Sequence, residues 1–226
     1  MSRRHTRRAR PADPRLRRRD LALNLARLAF AAAGVVAITY QLASSADRPG
    51  FAAGNFFSFF TIQFNILAAA LLALTASVPR TERTALFDAL RGAVTLYSAI
   101  TGAVFALLLS GLQESLQTPL PWVDFILHKL IPIVVVADWL IDPPRHRLAF
   151  RVAALWLCFP AAWLVYTLIR GASVDWYPYP FVDVSTLGYA GVLLRSAVLL
   201  VGMVAVAAAF VLIGNRRADT GRAAVA

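Results

Sequence analysis

The chain has 226 residues, of which 59% are hydrophobic, and its mean hydropathy is +0.63. A soluble domain of this size does not need such an apolar fraction, whereas six membrane spans with short loops do. The net charge is +11, but nine arginines lie in the first 19 residues, ahead of the first apolar segment. This distribution is typical of membrane topology signals, and the sequence has no helix-turn-helix, RRM or zinc-finger spacing, so we expect no nucleic-acid partner.

The residues that commonly hold metals and cofactors are sparse. The single cysteine, Cys158, lies in an apolar segment, which excludes an intrachain disulfide and a cysteine metal site. Only one of the three histidines, His128, lies in a predicted span, so we expect no metal centre. The sequence has no P-loop, dinucleotide-binding glycine motif, H-E-x-x-H helix or G-x-S-x-G turn, and we expect no cofactor.

In chain order, residues 1–20 are rich in arginine and proline and predict a disordered basic tail on an anionic membrane surface. Residues 21–214 predict an all-α domain, a polytopic bundle of six transmembrane helices. Residues 215–226 predict a short C-terminal tail. The six predicted spans cover approximately residues 21–43, 54–78, 87–111, 121–142, 148–170 and 189–214.

The placement of arginine predicts the orientation of the bundle. One side of the spans carries the nine arginines of the N-terminal tail together with seven others, and the opposite side carries only Arg48 and the boundary residue Arg170. The seven others are Arg80, Arg83, Arg145, Arg147, Arg216, Arg217 and Arg222. Because cytoplasmic loops are enriched in Lys and Arg, we expect a multi-pass protein of the plasma membrane with both termini cytoplasmic and an even number of spans.

The predicted fourth span, PWVDFILHKLIPIVVVADWLID, carries four ionisable residues: Asp124, His128, Lys129 and Asp138. Charged groups at that depth cost about 2.5–3.5 kcal/mol each, so they usually face a bundle interior and mark function. At 100° per residue, Asp124, His128 and Asp138 fall within one arc of about 80°, whereas Lys129 points elsewhere. Pro132 removes the backbone hydrogen bond to the His128 carbonyl and predicts a kink.

The predicted second span carries a polar stripe, because Ser58, Thr61 and Asn65 recur at i, i+3 and i+7. Thr61 and His128 each lie seven residues past the outer end of their spans, at a depth of about 10 Å. One interpretation is interhelical hydrogen bonding worth about 1 kcal/mol, with His128 as a core histidine bonded to Asp124 or to a backbone carbonyl. The other is chemical, with His128 taking the proton of a Thr61 nucleophile while Asp124 or Asp138 orients the imidazole.

Two further features lie near the same level. Lys129 and Arg195 either neutralise Asp124 and Asp138 or recognise an anionic lipid group. The loop DWYPYPFVD, which contains Trp176, provides either interfacial anchors or a lid over the outer mouth of the site.

Three segments, NFFSFFTIQFNILAA, PWVDFILHKLIPIVVVADWL and WYPYPF, resemble the prokaryotic six-transmembrane family over about residues 20–214. That family is distantly similar to the eukaryotic androgen-induced membrane proteins, which hydrolyse fatty acid esters of hydroxy fatty acids. The resemblance implies that the eukaryotic histidine, with its following proline and acid, corresponds to His128, Pro132 and Asp138, the proline being displaced by one residue. Their threonine corresponds to Ser58 by aromatic context and to Thr61 by identity, and we choose Thr61.

The sequence therefore predicts two alternative functions. The first is an intramembrane threonine-type hydrolase of lipid esters acting from the outer leaflet, with membrane lipids as partners and a lipid-like substrate. The alternative is a non-enzymatic transporter or binding protein that handles lipids or protons, and a structural role for the basic tail is a third interpretation. The candidate catalytic residues are Thr61, His128 and Asp138, and the candidate substrate-binding residues are Ser58, Asn65, Asp124, Lys129, Arg195 and Trp176.

Overall fold

The structure, a computed structural model, describes residues 14–112 and 120–223. All regular secondary structure in these two ranges is helical. The predicted all-helical fold is confirmed. The α-helices of the described ranges are α1 (Pro14–Ala46), α2 (Ala53–Ser58), α3 (Phe60–Ser77), α4 (Ala85–Val104), α5 (Pro121–Phe125), α6 (Ile131–Ile141), α7 (Phe150–Leu155), α8 (Cys158–Val174) and α9 (Val184–Ala223). One π-helical turn (Phe105–Leu109) follows α4, another (Ile126–Leu130) joins α5 to α6, and short 3₁₀ turns occupy Arg80–Glu82 and Pro180–Val182.

The two ends of the chain differ from the prediction. Because α1 begins at Pro14 and α9 continues to Ala223, residues 14–20 and 215–223 of the predicted tails are helical. Proline is favoured in the first turn of a helix, where its missing N–H costs nothing, and arginine, leucine and alanine then extend the helix. Residues 1–13 and 224–226 of the predicted tails lie outside the described residues.

In the part of the chain that the structure describes, five helices are long and apolar enough to cross a membrane: Arg17–Ala46, Phe60–Ser77, Ala85–Leu109, Phe150–Val174 and Val184–Ala218. They carry many exposed large apolar side chains, such as Leu194 and Val201 on α9. These helices fit an integral, multi-pass membrane protein. The predicted fourth span is helical without interruption from Pro121 to Ile141, but it is not among the five because it carries Asp124, Lys129 and Asp138 within 18 residues.

The core of the bundle is built by α1 packing on α3 and by α4 packing on α3 and α6. Small residues permit the closest approaches: a Cβ at Gly92 of α4 would lie 2.4 Å from the Trp156 ring, and one at Gly102 would lie 3.3 Å from Pro132. One cluster of buried apolar side chains surrounds Trp139, and a second surrounds Trp163. The candidate site lies at the second cluster.

The starting end of α1, the end of α6 and the end of α9 lie together. Arg27 of α1 contacts Asp142, the residue after α6, and Arg217 of α9 donates to the carbonyl of Leu140. α1 therefore begins at the end of the bundle at which α9 finishes.

Candidate functional site

A helix break at Phe59 shapes the site. The predicted second span is not one helix, because Phe59 (ψ 125°) separates α2 from α3. The amide of Ile62 donates to the carbonyl of Phe59 (3.1 Å) rather than to that of Ser58. The freed Ser58 carbonyl accepts a hydrogen bond from Trp163 Nε1 at 2.9 Å. Irregular backbone at membrane depth is stable only where protein groups satisfy it in this way or where it lines a cavity.

Thr61 lies in the first turn of α3, where a backbone N–H has no partner within the helix. Its N–H donates to the Tyr179 hydroxyl (3.2 Å), and its Oγ1 lies 3.2 Å from the same oxygen. Tyr179 comes from the loop between α8 and α9, 118 residues away, and only 5% of it is exposed. A single tyrosine hydroxyl thus contacts both the N–H and the hydroxyl of Thr61.

His128 lies on the π-helical turn that precedes Pro132. The proline ring cannot provide the hydrogen bond that the His128 carbonyl would accept in an α-helix, and the wider turn accommodates that loss. His128 Nδ1 lies 3.0 Å from Asp124 Oδ1, although the angle does not make a hydrogen bond. The imidazole stacks on the Phe105 ring at a centroid separation of 4.3 Å, so the π-helical turn after α4 and Asp124 of α5 both contact it.

A cavity of about 580 Å³ joins these groups. Its wall is almost entirely apolar, and the polar side chains on it are Thr61, Thr101, His128, Tyr179 and Ser196. The hydroxyl of Thr101 is buried and has no hydrogen-bond partner in residues 14–112 and 120–223. A cavity of this size and composition suits an apolar ligand with one polar group.

The cavity opens sideways between α8 and α9. Ala161 on α8 and Leu193 and Leu200 on α9 all line the cavity, and all three are exposed. In a membrane, exposed apolar residues at mid-helix face lipid. The opening is therefore placed for entry from the bilayer.

Asn65 ties the hydroxyl side of the site to the imidazole side. Its Nδ2 donates to the carbonyl of Thr61 (2.8 Å) and to the carbonyl of Leu127 (3.1 Å), the residue before His128. Thr61 and His128 therefore sit on backbones joined by one side chain and line one cavity. Within the described ranges, the hydroxyl of Thr61 is bonded to Tyr179, and no hydrogen bond joins it to His128.

Asp138 lies elsewhere. It is ten residues beyond His128, about 15 Å along the helix, and it is held by Arg27 Nε at 2.6 Å and Arg91 Nη2 at 2.9 Å. The arc of 80° places it on the correct face but at the wrong height. Of the two carboxylates that the sequence offered for orienting the imidazole, Asp124 is the one that contacts His128.

The remaining candidates lie outside the cavity lining. Ser58 is buried and bonds to the carbonyl of Gly54 (2.6 Å) and to the Tyr166 hydroxyl (2.9 Å), because the break at Phe59 turns it away from Thr61. Lys129 and Arg195 are exposed, and Arg195 donates to the carbonyl of Gly191 in its own helix.

Trp176 packs edge-on against Phe59 (5.6 Å) and beside Arg170, outside the cavity lining. The aromatic loop does reach the cavity, but through Tyr179 and Phe181. The sequence predicts this loop to be a lid or an anchor, but it does not single out Tyr179. The position of Tyr179 between two prolines in YPYP is the sequence feature that could have pointed to it. Nothing in the sequence distinguished Thr101 from other threonines in apolar helices.

Comparison with family models, with curated proteins and with solved structures finds no match to this chain.

Proposed function

We propose that the protein is an intramembrane hydrolase of lipid esters. The proposal rests on one observation: a laterally open apolar cavity holds a threonine hydroxyl, a tyrosine hydroxyl and a histidine that contacts a carboxylate. An acyl chain occupies the apolar part, and the ester lies against the polar groups. Entry from the bilayer avoids transferring the lipid into water.

The chemistry follows from the positions of four side chains. Thr61 Oγ1 attacks the ester carbonyl carbon as His128 takes the hydroxyl proton, and that proton leaves with the departing alcohol. Water, activated by the same imidazole, then hydrolyses the acyl-threonine ester and restores Thr61. Asp124 stabilises the imidazolium, and the Tyr179 hydroxyl donates a hydrogen bond to the developing oxyanion. Before attack, Thr61 exchanges its hydrogen bond to Tyr179 for one to His128.

A second function is favoured by a specific contact. The Thr61 hydroxyl is bonded to Tyr179 and not to His128, which is the arrangement of a resting binding site. In this alternative the cavity holds a lipid without turnover, and Thr61, Thr101 and His128 bind its polar group.

Turnover by purified protein separates the two functions. In nanodiscs that contain branched fatty acid esters, the wild-type protein should release free fatty acid, and Thr61→Ala and His128→Ala should each abolish release. Thr61→Ser should retain part of it, because the hydroxyl remains. Thr75→Ala is the matched control on the same helix, since the Thr75 hydroxyl donates to the carbonyl of Leu71, away from the cavity. Ester binding without release, or release that survives both alanine variants, would contradict the hydrolase.

The proposal includes the membrane topology. We propose that the run Pro121–Ile141 is a sixth span and that both termini are cytoplasmic, in the plasma membrane. The common position of the start of α1 and the end of α9 supports an even number of crossings. Cysteine labelling from either side of intact cells, at Arg48→Cys and Arg216→Cys in a chain that also carries Cys158→Ser, tests this. We expect labelling from outside only at position 48, and the reverse pattern would contradict the orientation.

A further inference from the structure

A cluster of charged residues occupies the end of the bundle where α1 begins and α6 ends, far from the cavity described above. Its members are Arg27, Arg80, Arg83, Arg91, Asp138 and Asp142. Asp142 accepts from Arg27 Nη2 (2.5 Å) and Arg83 Nη1 (2.6 Å), and also from Arg80. Four guanidinium groups therefore share two carboxylates.

The excess of positive charge is largely buried. Arg27, Arg83 and Arg91 are at most 5% exposed, whereas half of the Arg80 side chain is exposed. Arg83 Nε and Arg91 Nη1 have no hydrogen-bond partner within the described ranges. Three buried guanidinium groups therefore face two buried carboxylates. Buried charge without a counter-charge is costly, so this excess of positive charge favours binding of an anion.

A cavity of about 450 Å³ reaches this cluster from the surface. Its charged lining consists of Arg19, Arg27, Arg80 and Arg83 with Asp20 and Asp142, which again leaves two positive charges in excess. Arg83 thus contributes both a cavity wall and an unpartnered N–H. Leu23 and Val78 add apolar surface to the same wall.

We propose that this cavity binds a phosphate group. The guanidinium fork matches phosphate oxygens better than any other side chain does, and the negative charge of a phosphate group offsets the excess positive charge. The group comes either from the headgroup of an anionic lipid or from a soluble phosphate compound. A lipid is compatible with the apolar part of the wall, and basic pockets at the ends of membrane helices bind such headgroups. The site is separate from the hydrolase cavity and does not depend on the proposed function.

Native mass spectrometry of the full chain, with phosphatidylglycerol, phosphatidylcholine and inorganic phosphate as probes, tests this. We expect phosphatidylglycerol or phosphate to bind at least about 10-fold more tightly than phosphatidylcholine. Displacement of phosphatidylglycerol by millimolar phosphate identifies a soluble ligand, whereas binding that phosphate does not displace identifies the lipid headgroup. Equal binding of the two lipids, together with no phosphate binding, would overturn the proposal.

Two variants locate the binding. Arg80→Gln and Arg19→Gln lie at the exposed mouth of the cavity, so they should fold, and each should weaken binding about 3- to 10-fold. Arg216→Gln is the matched control. It removes the same charge at the same end of the bundle, and Arg216 is exposed and does not line the cavity. An equal loss in all three variants would indicate a diffuse surface charge effect and would refute a defined site.

Discussion

Replacing Asp138 by Asn tests whether this aspartate is structural. Its Oδ1 accepts from Arg27 at 2.6 Å and its Oδ2 accepts from Arg91 at 2.9 Å, and all three side chains are buried. Asparagine keeps one acceptor but presents an amide donor to the other guanidinium. The change removes one charge-assisted hydrogen bond, worth about 1.5–3 kcal/mol, and leaves a further buried positive charge. Loss of one partner of a buried ion pair costs about 3–5 kcal/mol in all.

For a chain of this length, that cost lowers the midpoint of thermal unfolding by roughly 6–20 °C, at about 2–4 °C per kcal/mol. Unfolding of Asp138→Asn in detergent, followed by intrinsic tryptophan fluorescence, measures it. Turnover per folded molecule should stay close to the wild-type value at a temperature where the variant is folded. Asp124→Asn is the comparison, since it touches His128 and should reduce turnover more than 10-fold. A stable Asp138→Asn protein without turnover would refute the assignment.

Two further predictions concern packing and hydrogen bonding. Tyr179→Phe removes the oxygen that accepts from the Thr61 N–H, so it should lower the free energy of unfolding by about 1–3 kcal/mol. Tyr189 is exposed, so Tyr189→Phe should leave the free energy of unfolding unchanged. Equal effects of the two substitutions in chemical denaturation would contradict this prediction. Gly92→Ala should lower the free energy of unfolding by about 1–3 kcal/mol, because the added Cβ would lie 2.4 Å from the ring of Trp156. A Cβ at Gly202 would have nothing within 4 Å, so Gly202→Ala should not destabilise the protein in the same assay.

Patterns of neighbouring residues predict the helices and the contacts within one helical turn. Long apolar runs predicted helices, and the sixth predicted span begins close to the kink at Gly188, whose φ of +64° favours glycine. The spacing of Asp124 and His128, one helical turn apart, was also visible from sequence, and the two side chains are in contact.

The features that were missed depend on distant partners. No proline or glycine marks the break at Phe59, which is stabilised by Trp163 and Tyr179 from more than 100 residues away. The partner of Asp138, Arg27, is 111 residues distant and lies within a segment that otherwise reads as an apolar span. A helical arc gives the direction in which a side chain points, but not which neighbour it meets at that height.

Covalent labelling of Thr61 tests the central claim most directly. A long-chain alkyl fluorophosphonate should enter the cavity from the bilayer and transfer its phosphonyl group to Thr61 Oγ1 with loss of fluoride. Mass spectrometry of the digested protein should find the adduct on Thr61 in the wild-type chain and in Thr75→Ala, and not in His128→Ala. A chain that binds the probe but forms no adduct, or that forms it equally without His128, would contradict a histidine-activated threonine in this cavity.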